Sequence, residues 1–396
     1  MKPQIKYLFF TFLTCMAFGT GRSQSYIPAY GDIVAQCSQT GILADLVEFE
    51  NFGEKYRNTA AQANTLAWLK NKYLSYGYTA SQIVEDPFTY SGSTCKNLIV
   101  TKTGTLYPNT YVIVDGHYDT VNGPGTNDNG SGVAVILEIA RLLQNVPTEY
   151  SIKFINFAGE EDGLRGSQDY VNNVVNATTP KMDIRLVFNL DQVGGIAGEV
   201  NNTITCERDQ SSPSSNNAAS NTMTTQLMNC VELYSPLNTN LSFAYGSDYM
   251  PFQSNNEVIT GFYETNESPY PHTANDLLVN MDPTYVYNVA KAAVGATLHF
   301  AVACTTCSLG TNTAEAVSGI SAYPNPASTF LYIDKGELGD SYVYKLSNVL
   351  GEAVVSKSLL NAAQTEAVNI ENLSSGLYLL SVESEGMTTT KKIMVK

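Results

Sequence analysis

The chain has 396 residues, 43% of them hydrophobic, with 37 acidic and 22 basic side chains and a net charge of -15. Length and composition describe a globular chain of more than one domain. The acidic balance argues against nucleic acid as a partner, because phosphate binding needs a basic face, and it would be repelled by an anionic membrane surface.

The chain opens MKPQIKYLFFTFLTCMAFGTGRSQ, where Lys2 and Lys6 precede an apolar run from Tyr7 to Phe18. That run is too short to cross a bilayer, and the pattern reads as a secretory signal peptide over residues 1–24, cleaved near Gln24. A lipid-anchored Cys15 is the alternative, disfavoured by Thr14 before it. The mature chain is then expected to have no transmembrane span and to leave the cytoplasm for the extracellular space or the cell surface. Without Cys15 there remain Cys37, Cys95, Cys206, Cys230, Cys304 and Cys307, an even number that permits disulfides and leaves their pairing open. Cys304 and Cys307 read as structural cysteines at a domain border.

Ala60 to Tyr76 carries Leu66, Leu69, Lys70 and Tyr73 at helical spacing, with Gly77 as a stop. Asn97–Thr101 and Tyr111–Gly116 read as neighbouring strands joined by a turn over Gly104–Thr110. Ser151–Ala158, Ile184–Leu190 and Glu257–Tyr263 read as further strands. Helical patterns at Gly130–Gln144, Ser167–Val175, Asn221–Tyr234 and Pro283–Ala303 separate or follow them. The alternation predicts an α/β fold, a mixed, largely parallel sheet with helices on both faces. Residues 308–319 are a small, polar linker. From residue 320 to 396, short alternating segments predict a small all-β sandwich without an acid, base or metal cluster.

The chemistry-bearing residues gather at strand ends. Val112, Ile113 and Val114 are a β-branched run, the mark of a buried strand, and they lead into His117 and Asp119. Those two stand two apart, on one side of an extended chain. Asp128 precedes the Gly130 helix, Glu160 and Glu161 follow the Ser151 strand, and Asp191 follows the Ile184 strand. His272 lies in the loop PYPHTAND after the last strand. Open α/β sheets bind ligands outside the carboxyl ends of their strands, which brings all of these to one rim. Crowded carboxylates repel unless a cation offsets them, and two imidazoles with carboxylates form an N/O donor set suited to zinc, with manganese or cobalt as alternatives. Of three histidines only His299, inside the last helix, stands apart, as a structural residue.

His117-x-Asp119, Asn127-Asp128-Asn129-Gly130-Ser131-Gly132, Glu160-Glu161, Leu190-Asp191 and Pro271-His272-Thr273 together resemble the ordered motifs of the secreted di-zinc aminopeptidases, the family of bacterial leucyl aminopeptidases, aminopeptidase Y and related carboxypeptidases. The resemblance covers roughly residues 90 to 300. It implies a zinc-exopeptidase fold over residues 25–307, two zinc ions bridged by Asp128, with His117 and Asp191 on one and Glu161 and His272 on the other. It further implies Glu160 as the general base and acid, Asp119 as the partner that orients His117, and a cis peptide between Asp128 and Asn129. Tyr245 stands near the place of a transition-state hydrogen-bond donor. Ser247-Asp248-Tyr249 departs from a Ser-Asp-His pattern, and Gln192 implies a more polar pocket for the first substrate residue. The implied substrates are peptides with a free amino terminus.

The segments Ala322-Tyr323-Pro324-Asn325-Pro326-Ala327, Tyr344 to Gly351, Leu373 to Tyr378 and the closing Lys391 to Lys396 resemble the C-terminal sorting domain of the type IX secretion system. That implies the type IX secretion machinery as a partner. Within the same fold a carboxypeptidase, for which Arg165 is the one plausible anchor, and a glutaminyl cyclase are alternatives. A non-catalytic binding protein is the alternative from another class.

Overall fold

A computed structural model describes residues 24–177, 179–304, 320–336, 339, 341–348, 353–384 and 387–396. The signal peptide with Cys15, Cys307 and the 308–319 linker fall outside the described residues, Gln24 apart. The chain divides into two compact units, with the boundary between Thr305 and Thr306.

The first unit begins with three helices, α1 (Pro28–Val34), α2 (Gln39–Asn51) and α3 (Ala60–Ser75). The Ser38 and Thr59 side chains cap α2 and α3 by accepting the backbone N–H of Gly41 and of Gln62. There follow β1 (Ile83–Tyr90), β2 (Ser93–Lys102), β3 (Tyr107–His117), α4 (Gly130–Leu143), β4 (Tyr150–Phe157), α5 (Arg165–Tyr170) and β5 (Asp183–Leu190). The unit ends with β6 (Thr203–Arg208), α6 (Asn217–Tyr234), β7 (Asn238–Phe243), α7 (Tyr249–Ser254), β8 (Ile259–Glu264) and α8 (Pro283–Phe300). Pro283 opens α8, and Asp282 caps it through the N–H groups of Thr284 and Tyr285.

One eight-stranded sheet runs in the order β1-β2-β4-β3-β5-β8-β6-β7. Its centre, β4-β3-β5-β8, is parallel, while β1, β2 and β6 pair antiparallel with their neighbours on the inner side. Val112, Val114, Phe154, Leu186 and Phe188 pack on one face with α4, α8 and the N-terminal helices. Ile113, Ile155, Phe157, Val187 and Ile259 pack on the other with Tyr170 of α5 and Phe252 of α7. Burial on both faces is why these central strands are continuous apolar runs.

One expectation needs correcting: β2 and β3 are not neighbours. The segment after β2 crosses the start of β4, where Thr105 and Leu106 donate their N–H groups to Thr148 and Glu149 and the Tyr107 ring stacks on Tyr150 at 4.7 Å. Strand β4 therefore lies between them, antiparallel to β2 and parallel to β3. The parallel β3–β4 pair needs a crossover, and α4 supplies it.

The second unit contains β9 (Ser321–Tyr323), β10 (Phe330–Asp334), β11 (Tyr342–Asn348), β12 (Ala353–Leu359), β13 (Thr365–Asn369), β14 (Gly376–Ser384) and β15 (Met387–Val395). Two antiparallel sheets, β13-β10-β9 and β12-β11-β14-β15, enclose one core with Leu331, Ile333, Tyr344, Leu346, Val368, Leu380 and Ile393. It is the small all-β sandwich that the alternation predicts. Among the described residues no helix is long and apolar enough to cross a membrane.

Candidate metal centre

Strands β4, β3, β5 and β8 are parallel and adjacent, so the residues at their carboxyl ends share one rim. His117 is the last residue of β3, Glu160 and Glu161 follow β4, Asp191 follows β5, and His272 lies in the loop after β8. Asp128 stands two residues before α4, whose cap, Asn129, accepts the N–H of Gly132 and donates to the Leu190 carbonyl. Gly132 has to be glycine here, since a Cβ would sit 2.3 Å from the Leu190 oxygen. The peptide between Asp128 and Asn129 is cis.

The Asp128 carboxylate faces two imidazoles. Its Oδ1 lies 3.3 Å from His117 Nε2, and its Oδ2 lies 3.2 Å from His272 Nε2. Asp191 Oδ1 is 3.3 Å from the same His117 nitrogen, and Glu161 Oε2 is 2.8 Å from the same His272 nitrogen. Two imidazole–carboxylate pairs thus meet on the two oxygens of one aspartate. His117, Asp128 and Glu161 bring donor atoms within 4.8 Å of one another. Glu161 Oε1 is buried without a hydrogen-bond partner. Buried carboxylate oxygens without partners are costly, and cations are the group that would satisfy them. The nitrogen and oxygen donors present fit zinc.

The electrostatics carry the same signature. Burial by itself would lower the His117 imidazole, but the Glu160, Asp191 and Asp128 carboxylates outweigh it and hold it well above its usual value. His272 is raised to about 9, chiefly by its hydrogen bond to Asp128. Glu161 is pushed up to about 8, first by burial and then by Asp128. Crowded carboxylates favour the protonated forms of the imidazoles and of one another.

Glu160 is not paired in this way. Its Oε2 is 3.9 Å from His117 Nε2, and burial pushes its carboxyl well above the usual range. Asp119 accepts the N–H of Glu160 and of Glu161, at 3.2 and 3.3 Å, and so fixes the turn that presents both. The nearest partner of His117 Nδ1 is the Asp119 backbone oxygen at 3.0 Å, with the carboxylate at 3.8 Å. Tyr245 is exposed, and its ring lies 6.1 Å from that of Tyr263. The Asp191 Oδ2 atom accepts the Ser247 hydroxyl at 2.6 Å.

Further residues hold the rim although no motif marks them. Asp276 accepts the backbone N–H of Asn127 and of Asp128. Glu264, the last residue of β8, accepts from the Asn127 side chain and from the N–H groups of Gly195 and Ser268. Asp276 lies four residues past His272 in the same loop, and Glu264 is an acid at a strand end like the others, which is the signal that could have found them. Arg165 is occupied elsewhere, with its Nε on the Asp162 carbonyl and its guanidinium 4.6 Å over the Tyr90 ring. Cys37, Cys95, Cys206 and Cys230 are free and buried, whereas Cys304 is disulfide-bonded.

Over residues 97–297 the chain matches peptidase family M28, and over residues 321–396 it matches the secretion system C-terminal sorting domain. The second match points to secretion or the cell surface. The chain is 41% identical over 107 residues to aminopeptidase YwaD of Bacillus subtilis, a stretch covering 26% of this chain and 23% of that protein. With the aminopeptidase of Pseudomonas aeruginosa it shares 35% identity over 136 residues, 34% of this chain and 24% of the relative. The chain thus spans about a quarter of the length of these curated relatives. The LapA aminopeptidase of Legionella pneumophila has the same fold, with a TM-score of 0.59 at 21% identity over 71% of this chain and 78% of that one.

Proposed function

The chain belongs to peptidase family M28, and on that premise we propose that it is an exported aminopeptidase that removes the amino-terminal residue of peptides with two zinc ions and a glutamate base. The observation that carries this reading is the double-faced Asp128, each of whose oxygens meets a separate imidazole–carboxylate pair. His117 and Asp191 would hold one ion and His272 and Glu161 the other, with Asp128 between them. Bound zinc polarises a carbonyl and makes water a nucleophile at neutral pH.

The remaining work falls to the chain's own residues. Glu160 lies beside the centre, 3.9 Å from His117, with its backbone held by Asp119, and is free of the imidazole pairs, so it would take up a proton and pass it to the departing amine. Asp119 positions both glutamates and, through its carbonyl, His117. Tyr245 lines a cavity with Asp191 and His272, and its hydroxyl would donate to the oxygen on which charge develops. The carboxylate-rich rim suits the cationic amino end of a peptide, which sets an aminopeptidase apart from a carboxypeptidase. The latter needs a cationic anchor, and Arg165 is engaged in its own turn.

The proposed course of the chain is a signal peptide over residues 1–24, the peptidase domain over 25–307, a linker over 308–319 and a sorting domain over 320–396 that addresses it to type IX secretion. Hydrolysis of leucyl-p-nitroanilide and its N-acetyl form, before and after chelation and zinc restoration, tests the activity. Cleavage of the free-amine substrate alone, lost on chelation and regained with zinc, is the expected result. Equal cleavage of both, or cleavage indifferent to chelator, would overturn it. Deletion of the 320–396 tail is expected to strand the protein in the periplasm.

A further inference from the structure

Next to the candidate centre is a cavity of about 240 Å³ whose lining includes Asp191 and His272. Gln192, Glu207, Tyr245, Tyr249, Tyr263 and Glu267 are among its other lining residues. Glu207, on β6, is 3% exposed, and its Oε2 accepts the Tyr249 hydroxyl at 2.5 Å. Glu267 is exposed, in the turn after β8. The Tyr263 hydroxyl donates to Gln192 Oε1 at 3.4 Å. No lysine or arginine is among the lining residues, and the basic side chain that is there, His272, faces Asp128 and Glu161 rather than these two carboxylates.

We propose that this cavity receives the side chain of the substrate's amino-terminal residue and selects a cationic one, lysine or arginine, through Glu207 and Glu267. The inference rests on the aminopeptidase reading and adds the substrate class to it. The cavity touches one residue of each imidazole–carboxylate pair, so a peptide whose amino end lies at the centre has its first side chain beside this wall. The aliphatic stem of lysine or arginine lies against tyrosine rings, and its charged head reaches a carboxylate. Leucine would fill the aromatic part of the space while leaving Glu207 out of water with only the tyrosine as partner, and sites built for a polar group discriminate strongly against ligands that lack it. Burial pushes the Glu207 carboxyl up to about 8, and an incoming cation would draw it back toward its ionised form. The same carboxylates could instead hold only the α-ammonium, but that would serve every amino-terminal residue alike, so the ratio between substrates separates the two roles.

The test is kcat/KM of the zinc-loaded protein on lysyl-, arginyl-, leucyl-, glutaminyl- and glutamyl-p-nitroanilide, with Glu207→Gln and Glu267→Gln as variants. The expected result is a lysyl or arginyl value at least tenfold above leucyl, and a lysyl-to-leucyl ratio reduced about tenfold in at least one variant, mainly through KM. Exposed Glu267 keeps the test valid even where the buried Glu207 variant fails to fold. A leucyl value equal to or above the cationic ones, or a ratio unmoved in every folded variant, overturns the inference and leaves the aminopeptidase reading standing. Cleavage of none of the anilides rejects that reading, and this inference with it.

Discussion

Asp276 takes the backbone N–H of Asp128 on its Oδ2 at 3.0 Å, and this bond fastens the loop that carries His272 to the loop that carries the doubly facing aspartate. Its other oxygen accepts from Asn127 at 2.8 Å, so one carboxylate satisfies two buried donors. Asp276→Ala would leave both unpaired, at about 1–3 kcal/mol each. The expected outcome is lower stability in denaturant and a loss of roughly 10–100-fold in zinc affinity, the usual effect of removing a group that orients a metal ligand. Urea unfolding and competition with a zinc indicator measure the two effects.

Glu160 separates catalysis from metal holding. It follows β4 beside Glu161, yet only Glu161 lies within hydrogen-bond distance of an imidazole. Glu160→Gln keeps the shape and removes the base, so kcat is expected to fall by about 10²–10⁴-fold with zinc content and KM little changed. A variant that also loses zinc would place Glu160 among the ligands instead.

Zinc uptake is expected to release protons. In the metal-free protein His272 is raised to about 9, first by its bond to Asp128, and Glu161 to about 8, first by burial. Both shifts favour the protonated forms near neutral pH, and a ligand must shed its proton to bind the metal. Affinity should rise with pH through this window and fall as acid restores the protons. Titration calorimetry at pH 7 in two buffers of different ionisation enthalpy reads the number released. A value of zero would contradict the assignment of these two residues as ligands.

The rim is legible in the sequence because β3, β4 and β5 are apolar runs buried on both faces, and their ends deliver His117, Glu160, Glu161 and Asp191 together. The sheet's flanks are not. Strand β1 contains Asp86 and Pro87, an edge composition, and β7 is polar and largely exposed, so neither has the apolar signature of a strand. The place of β4 between β2 and β3 depends on contacts far apart in the chain, which no local pattern encodes. Asp276 and Glu264 escape for a different reason: they serve backbone N–H groups, and residue type alone does not mark an acid that does so. Glu207 belongs to β6, and without that strand nothing points it at the cavity.

The segment from α2 to Lys55 is bonded to the loops that carry the candidate ligands. Glu50 Oε2 accepts the Thr126 hydroxyl and the Leu278 N–H, and Glu54 accepts the Asn122 N–H. Lys55 donates its backbone N–H to Thr120 and its ammonium to the carbonyls of Gly53 and Pro124. These bonds grip the chain on both sides, between His117 and Asp128 and after His272. Ile42, Leu46 and Phe49 of α2 are meanwhile buried in the main core, where removing a large side chain costs about 2–5 kcal/mol. An inhibitory pro-segment behaves the opposite way, because cutting it off raises activity. Removal of residues 24–53 is therefore expected to abolish stable folding and activity, and Glu50→Ala alone to weaken zinc binding with the fold retained. Activity and melting temperature of the two variants beside the native protein check this, and a truncated chain more active than the native one would show that the segment is inhibitory.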